Sequence, residues 1–223
     1  MRAWAIVPVK TFAQAKQRLA VVLSAQERAR LAEAMLCDVL GQLTALPQLA
    51  GIMVVTADPL AAQVATSFGA RHIRDSFESG VNQAVALGLD AVRAAECAVA
   101  VIAADVPFAT STEIAGALSC LENEPVVLTP AEADGGTNLL ALRHVPLIEP
   151  SFGEGSFARH WAQARALNLG CRVFRSQGLG HDIDRPGDLE TLPGSGGERT
   201  RALLNRLDIT ARLDAAVEQR QSA

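Results

Sequence analysis

The chain has 223 residues, 49% of them hydrophobic, enough to bury the core of one large domain. Its formal net charge of -4 supplies no basic surface for a polyanion, which argues against nucleic-acid binding. The four cysteines, Cys37, Cys97, Cys120 and Cys171, form no CxxC pair, and no apolar run approaches the roughly 18 residues of a membrane span, so a cytoplasmic protein with no membrane partner is expected.

Short apolar runs alternate with helix-patterned segments along the chain. Trp4 to Val9 reads as the first strand. Ser24 with Glu27 makes a capping-box pattern, and Ala29, Leu31, Met35, Leu36, Val39 and Leu43 continue it as a helix. Ile52 to Thr56 is a strand, Pro59 to Phe68 a helix, Ala70 to Ile73 a short strand and Gly80 to Ala95 a helix. Ala98 to Ala103 is continuously apolar, as a central strand buried on both faces should be. Helix Ser111 to Leu121, strands Val126 to Thr129 and Leu139 to Arg143, helix Ser156 to Leu167 and strand Cys171 to Arg175 follow.

The close spacing of the two strands around Ala131 to Thr137 predicts that one of them is antiparallel. Together these elements predict a three-layer α/β/α domain with a mostly parallel mixed sheet over residues 1–193. Residues 194–223 read as a linker and a C-terminal helix, Thr200 to Gln219, packed on the domain or on a partner subunit.

Ligands of open α/β sheets bind beyond the carboxyl ends of the strands, so polar residues that follow apolar runs are the candidates. After the first strand stand Lys10, Lys16 and Arg18, three cations of the kind that triphosphate oxygens require. After the buried strand stands Asp105. Further on come Asp182 and Asp184, which we expect to need a bend in the chain to face one site, and either Asp184 or Asp188 could cap the helix after Pro186. One carboxylate at each of two strand ends suits a hard magnesium ion. Asp134-Gly135-Gly136-Thr137-Asn138 and Phe152-Gly153-Glu154-Gly155-Ser156 are glycine-rich turns that let backbone amides approach an anion, with Ser156 at a helix start. His72, His144 and His160 read as surface or packing residues, His181 either as a phosphate contact or as packing against the bend, and Trp161 as core.

Several segments, in order from Ile6 to Leu189, resemble the phospho-acid guanylyltransferase family of coenzyme F-420 biosynthesis. They are Ile6-Val7-Pro8-Val9-Lys10 with Ala15-Lys16-Gln17-Arg18-Leu19, the helix from Ser24 with Met35 and Asp38, and Val54-Val55-Thr56-Ala57-Asp58-Pro59. Gly80-Val81-Asn82-Gln83-Ala84, Ala104-Asp105-Val106-Pro107, Gly135-Gly136-Thr137-Asn138, Phe152-Gly153-Glu154-Gly155-Ser156-Phe157 and Asp182-Ile183-Asp184 complete the set. The resemblance implies a single Rossmann-like nucleotidyltransferase domain that joins GTP to a three-carbon phosphorylated acid (2-phospho-L-lactate, phosphoenolpyruvate or 3-phospho-D-glycerate) and releases pyrophosphate. It implies Mg2+ on Asp105, Asp182 and Asp184, the acceptor at Thr137, Gly153 and Ser156, and GTP at Lys10, Lys16, Arg18 and Asn82. Asp105, Asp182, Asp184, Lys10 and Arg18 are then the catalytic candidates. Another phosphorylated acceptor, or a module that only binds GTP, is the alternative, and a homodimer is left open. Glu154 stands where the family often has proline, which sets a carboxylate beside an anionic acceptor unless it points outward.

Overall fold

Along β1 (Ala3–Val9), Ala3, Ala5 and Val7 face one apolar core while Ile6 faces a second, the period-two alternation of a strand buried on both sides. The structure, a computed structural model, describes residues 2–76, 80–95, 97–145 and 147–221. The same alternation recurs in β4 (Ala98–Ile102), where Ala98, Ala100 and Ile102 join the first core and Val99 and Val101 the second. The remaining strands are β2 (Leu49–Thr56), β3 (Arg71–Arg74), β5 (Val126–Pro130), β6 (Thr137–Leu142) and β7 (Cys171–Val173).

The first core is covered by α1 (Ala25–Thr44), α2 (Pro59–Ser67) and α4 (Ser111–Ser119), and the second by α3 (Val81–Val92) and α5 (Ser156–Ala166), giving three layers. A single turn, α6 (Gln177–Gly180), and two tail helices, α7 (Glu198–Arg206) and α8 (Ile209–Gln221), complete the helices among the described residues. None of the helices is long and apolar enough to cross a membrane.

The seven strands run in the order β3-β2-β1-β4-β6-β5-β7. All pairs are parallel except those of β6, which runs antiparallel to β4 and to β5. That arrangement fixes where the chemistry can gather. β1 and β4 are parallel neighbours, so the segments leaving their carboxyl ends, with Lys10 to Arg18 after one and Asp105 after the other, emerge side by side. Because β6 is reversed, it begins at that same edge: Leu139 is opposite Ile102 and Thr137 is opposite Pro130. An antiparallel strand inserted in a parallel sheet thus delivers its first residues, not its last, to the ligand-binding rim.

Local chemistry sets the helix starts. Ser24 and Glu27 form a reciprocal capping box at α1, and Thr110 and Glu113 form another at α4. Asp58 caps α2 by accepting from Leu60 and Ala61.

The single tail helix expected from Thr200 to Gln219 is instead two, broken at Leu207 and Asp208. Asp208 has φ 49°, a left-handed conformation that a short polar side chain tolerates better than most and that no helix continues through. α7 docks on α1, where buried Asp38 accepts from the backbone N–H groups of Arg199 (3.1 Å) and Thr200 (2.8 Å) and so caps α7 from another helix. α8 is held by Arg212, which grips both oxygens of Glu27 at 3.0 and 2.9 Å. Just before α7, Gly196 and Gly197 pass so close beneath Phe108 that a Cβ at either would lie within 2.7 Å of it, and Arg201 stacks over the Phe108 ring at 4.7 Å.

Candidate active site

The loop after β1 is anchored before it reaches the site. The backbone N–H of Phe12 donates to Asp58 at 2.7 Å, and the buried Phe12 ring pins the chain to the first core. Beyond it Lys16 has φ 54° and ψ 40°, a left-handed conformation unusual for a side chain without local hydrogen bonding of its own. That conformation turns its ammonium inward, to 2.5 Å from Asp105 and 3.7 Å from Asp184. Arg18, two residues on, remains exposed and donates to the second oxygen of Asp184 at 2.5 Å.

The two distant carboxylate stretches meet through their backbones, for Ile183 donates its N–H to the carbonyl of Asp105 at 3.0 Å. Ile183 is fully buried, while its neighbours Asp182 and Asp184 are both partly exposed. The expected bend is therefore unnecessary: residues i and i+2 of an irregular but extended segment share a face, and the apolar residue between them holds the other. The cap after Pro186 falls to Asp188, which accepts from the backbone N–H groups of Asp184 (2.8 Å) and Arg185 (2.6 Å), so the Asp184 side chain is free for the cleft.

Electrostatics in this cluster favour a cation. Burial, then the nearby Asp105 charge, pushes the Asp182 carboxyl up to about 6, against the opposing hydrogen bond from Asn138. Burial also opposes the charge of Lys16, but Asp105, Asp184 and Asp182 outweigh it and hold its pKa above the ordinary lysine value. Arg18 is held above its ordinary value first by the hydrogen bond and charge of Asp184, with Glu154 and Asp134 adding to it. Those two carboxylates, of which Glu154 is exposed, come from the two glycine-rich turns.

Among the described residues no three His, Cys, Asp or Glu side chains form a ready-made metal cage. The donors nevertheless fit a hard divalent cation that takes one or two carboxylates and completes its shell with water and phosphate. Asp105, Asp182 and Asp184 supply only oxygen, and their charge is met here by Lys16 and Arg18.

The second half of the site is built by β6 and α5. Thr137 opens β6, Ser156 opens α5, and the Ser156 hydroxyl donates to that of Thr137 at 3.1 Å. Gly153, at φ 120°, accepts from the Ser156 N–H, and Phe157 donates its N–H to the carbonyl of Gly135, joining the two turns. Asn138, next along β6, donates to Asp182 at 3.2 Å and to the carbonyl of Leu179 at 3.0 Å, which couples this half to the carboxylates.

Of the residues singled out from sequence, Asp105, Asp182, Asp184, Lys16 and Arg18 converge, and Thr137, Gly153 and Ser156 form a second group. Lys10 is exposed at the end of β1 and pairs with no described carboxylate. Asn82 uses both ends of its amide on the backbone of Phe152, accepting at 2.7 Å and donating at 3.2 Å, so in this state it latches the 152–156 turn. Sequence reading passed over two residues. In the sequence Asn138 stands out only as part of a glycine-rich turn. His160 was set down to packing, although its position four residues after Ser156 puts both on one helix face. Trp161 packs against the second core, as expected, and His181, for which both a phosphate contact and packing are open from sequence, lies beside Phe108. His181 donates to the carbonyl of Asp188 at 2.9 Å, and Trp161 stacks against Phe157. A groove of about 510 Å³ between α1 and α7, lined by Arg30, Glu33, Cys37, Arg199 and Arg206 among others, shares none of these residues.

The chain is similar to several known proteins. A family described as "Guanylyl transferase CofC like" matches residues 3–222. A phosphoenolpyruvate guanylyltransferase of Sphaerobacter thermophilus is 41% identical over 191 residues, covering 85% of this chain and 92% of that one. A 3-phospho-D-glycerate guanylyltransferase of Phenylobacterium zucineum is 39% identical over 208 residues, covering 91% and 95%. A solved structure from Desulfovibrio desulfuricans G20 superposes with a TM-score of 0.79 at 18% identity, covering 97% of this chain and 99% of that one, a likeness of fold.

Proposed function

The chain belongs to the CofC-like guanylyl transferase family, and from that premise we propose that it joins GTP to a three-carbon phosphorylated acid with release of pyrophosphate. The acceptors considered are phosphoenolpyruvate, 3-phospho-D-glycerate and 2-phospho-L-lactate, and coenzyme F-420 biosynthesis in the cytoplasm is the setting we assign. The observation that carries the reading is the chain of ion pairs Asp105, Lys16, Asp184, Arg18, joined to the β6 side through the hydrogen bond from Asn138, the neighbour of Thr137, to Asp182.

In this reading a phosphate oxygen of the acceptor attacks the α-phosphorus of GTP, the bond from that phosphorus to the bridging oxygen breaks, and pyrophosphate leaves. An acceptor phosphate with a second pKa of about 6 is already largely dianionic at neutral pH, so no general base is required. The protein's task is positioning and charge neutralisation. Asp105, Asp182 and Asp184 would hold Mg2+, which supplies Lewis-acid charge where acceptor and α-phosphate oxygens meet.

Lys16 and Arg18, released from the carboxylates they hold here, would turn to the phosphates and stabilise charge that develops on the leaving pyrophosphate. Lys10 and the Asn82 end of α3 are assigned to the nucleotide, with Asn82 exchanging a bond to Phe152 for one to the ligand. Thr137, Gly153 and Ser156 take the acceptor. Residues 1–193 are read as the catalytic domain and 194–223 as a tail docked on it.

The test supplies GTP and Mg2+ with each of the three acids in parallel and measures both pyrophosphate and the guanylylated acid. Product from one or more acids supports the proposal. Pyrophosphate without guanylylated product, or neither, overturns it.

A further inference from the structure

His160 is fully buried on α5, four residues after Ser156, and makes two hydrogen bonds that together define its protonation. The backbone N–H of Ser151 can only donate, and it meets Nε2 at 3.0 Å. Nε2 is therefore the bare nitrogen. The ring's one proton sits on Nδ1, which lies 3.0 Å from the Thr137 hydroxyl and donates to it.

Counting protons then gives a result that no single contact shows. Three donor hydrogens meet at this corner: the Nδ1–H of His160 and the hydroxyl hydrogens of Thr137 and Ser156. Two are used within it, from His160 to Thr137 and from Ser156 to Thr137, and neither hydroxyl has a further acceptor among the described residues. Thr137 already accepts twice, so its own hydrogen has to point elsewhere. Ser156 is completely covered whereas Thr137 retains 7% of its surface, so the hydrogen left over belongs to the one of these two residues with any exposure.

We infer that His160 is a positioning residue for the acceptor, acting through Thr137: its Nδ1–H fills the Thr137 oxygen so that the Thr137 hydroxyl presents a donor to an acidic oxygen of the phospho-acid. The inference rests on the acceptor reading given above and adds a residue that this reading does not include. The ring is held for that task. Phe152 packs edge-on against it at 5.0 Å, and Arg159 fastens the same turn through the carbonyls of Ser151 (2.8 Å) and Glu154 (2.8 Å). Burial, then the adjacent Arg159 charge, lowers the imidazole to about 4, so the neutral form prevails at working pH.

Two measurements test this separately. In the absence of ligand, the ¹⁵N shifts of the His160 ring should report a protonated Nδ1 and a bare Nε2. The opposite tautomer overturns the inference whatever the acids do. Calorimetry then follows binding of phosphoenolpyruvate, 3-phospho-D-glycerate and 2-phospho-L-lactate, with GTP binding as the control.

His160→Gln, which can occupy the Nε2 position but not the Nδ1 position, and His160→Phe should each weaken acid binding roughly tenfold or more while GTP binding holds. His160→Asn, which can place an amide N–H at the Nδ1 position, should recover most of the loss. Thr137→Val should weaken acid binding alone, and adding His160→Gln to it should cost nothing further. Unchanged acid binding in His160→Gln and His160→Phe, equal losses for acid and GTP, or additive losses in the double variant overturn the role given to His160. Wild-type protein that binds none of the three acids instead sinks the acceptor reading, and this inference with it.

Discussion

The ammonium of Lys16 stands 2.5 Å from Asp105 and 3.7 Å from Asp184, so one cation balances carboxylates that are far apart in sequence. Its side chain is 8% exposed, whereas those of its two partners are about one-third exposed. Removing a buried partner leaves like charges facing each other in a poorly hydrated place. Lys16→Met should therefore lower the melting temperature by several degrees, at roughly 2–4 °C per kcal/mol for a chain of this size. Millimolar Mg2+ without nucleotide should restore more stability to the variant than to wild type. Equal Mg2+ responses in the two proteins, read by thermal unfolding, would remove the carboxylate cluster as the cation's site.

Asp105→Asn keeps the shape of the side chain and removes its charge. Turnover should fall by about 100-fold or more, the scale lost when one electrostatic stabiliser leaves an active site. Steady-state pyrophosphate release measures it, and a wild-type rate takes Asp105 out of the machinery.

Arg18 is half exposed, and its pair with Asp184 is open to water, so the pair adds little to stability. Arg18→Ala should raise the KM for GTP by about tenfold, as for loss of a charge-assisted bond, and leave the melting temperature within about 2 °C. A protein that unfolds early shows that Arg18 is structural instead.

The buried imidazole gives a pH signature with a definite sign. Folded His160 titrates at about 4, whereas an unfolded histidine titrates near 6.5, so between those values the unfolded chain binds the extra proton. The stability this group contributes is complete above about pH 6.5 and is lost as pH falls toward 4. Relative to His160→Phe, wild type should lose up to about 1.4 kcal/mol per pH unit across that window. Denaturant unfolding of both proteins from pH 4 to 7 measures the difference, and a flat profile contradicts a neutral buried ring.

The strands and most helices could be read from sequence because each carries its own pattern: an unbroken apolar run in β4, and a capping box at Ser24. The reversed β6 was signalled by the short connection before Thr137. Asp105, Asp182 and Asp184 were visible as carboxylates after apolar runs. What sequence reading missed depends on contacts across space. Asn138 matters because β6 starts at the rim, and the ring of His160 gains its direction from the Ser151 N–H. The break at Asp208 hides inside a good helical spacing of leucines, since one left-handed residue leaves the periodicity almost unchanged. Asn82 was expected at the nucleotide, and its bonds to Phe152 belong to a loop conformation that spacing does not encode.

The close passage of Gly196 and Gly197 under Phe108, with Arg201 stacked on the same ring, bears on how the molecule is born. Phe108 follows Asp105 by three residues, yet its seat is supplied by chain synthesised some ninety residues later, at about 5–20 residues per second. A nascent polypeptide still short of Gly196 lacks the segment on which Phe108 is seated. Chains truncated before Gly196 should then carry a loosened turn after Asp105, because the segment that packs on Phe108 is missing.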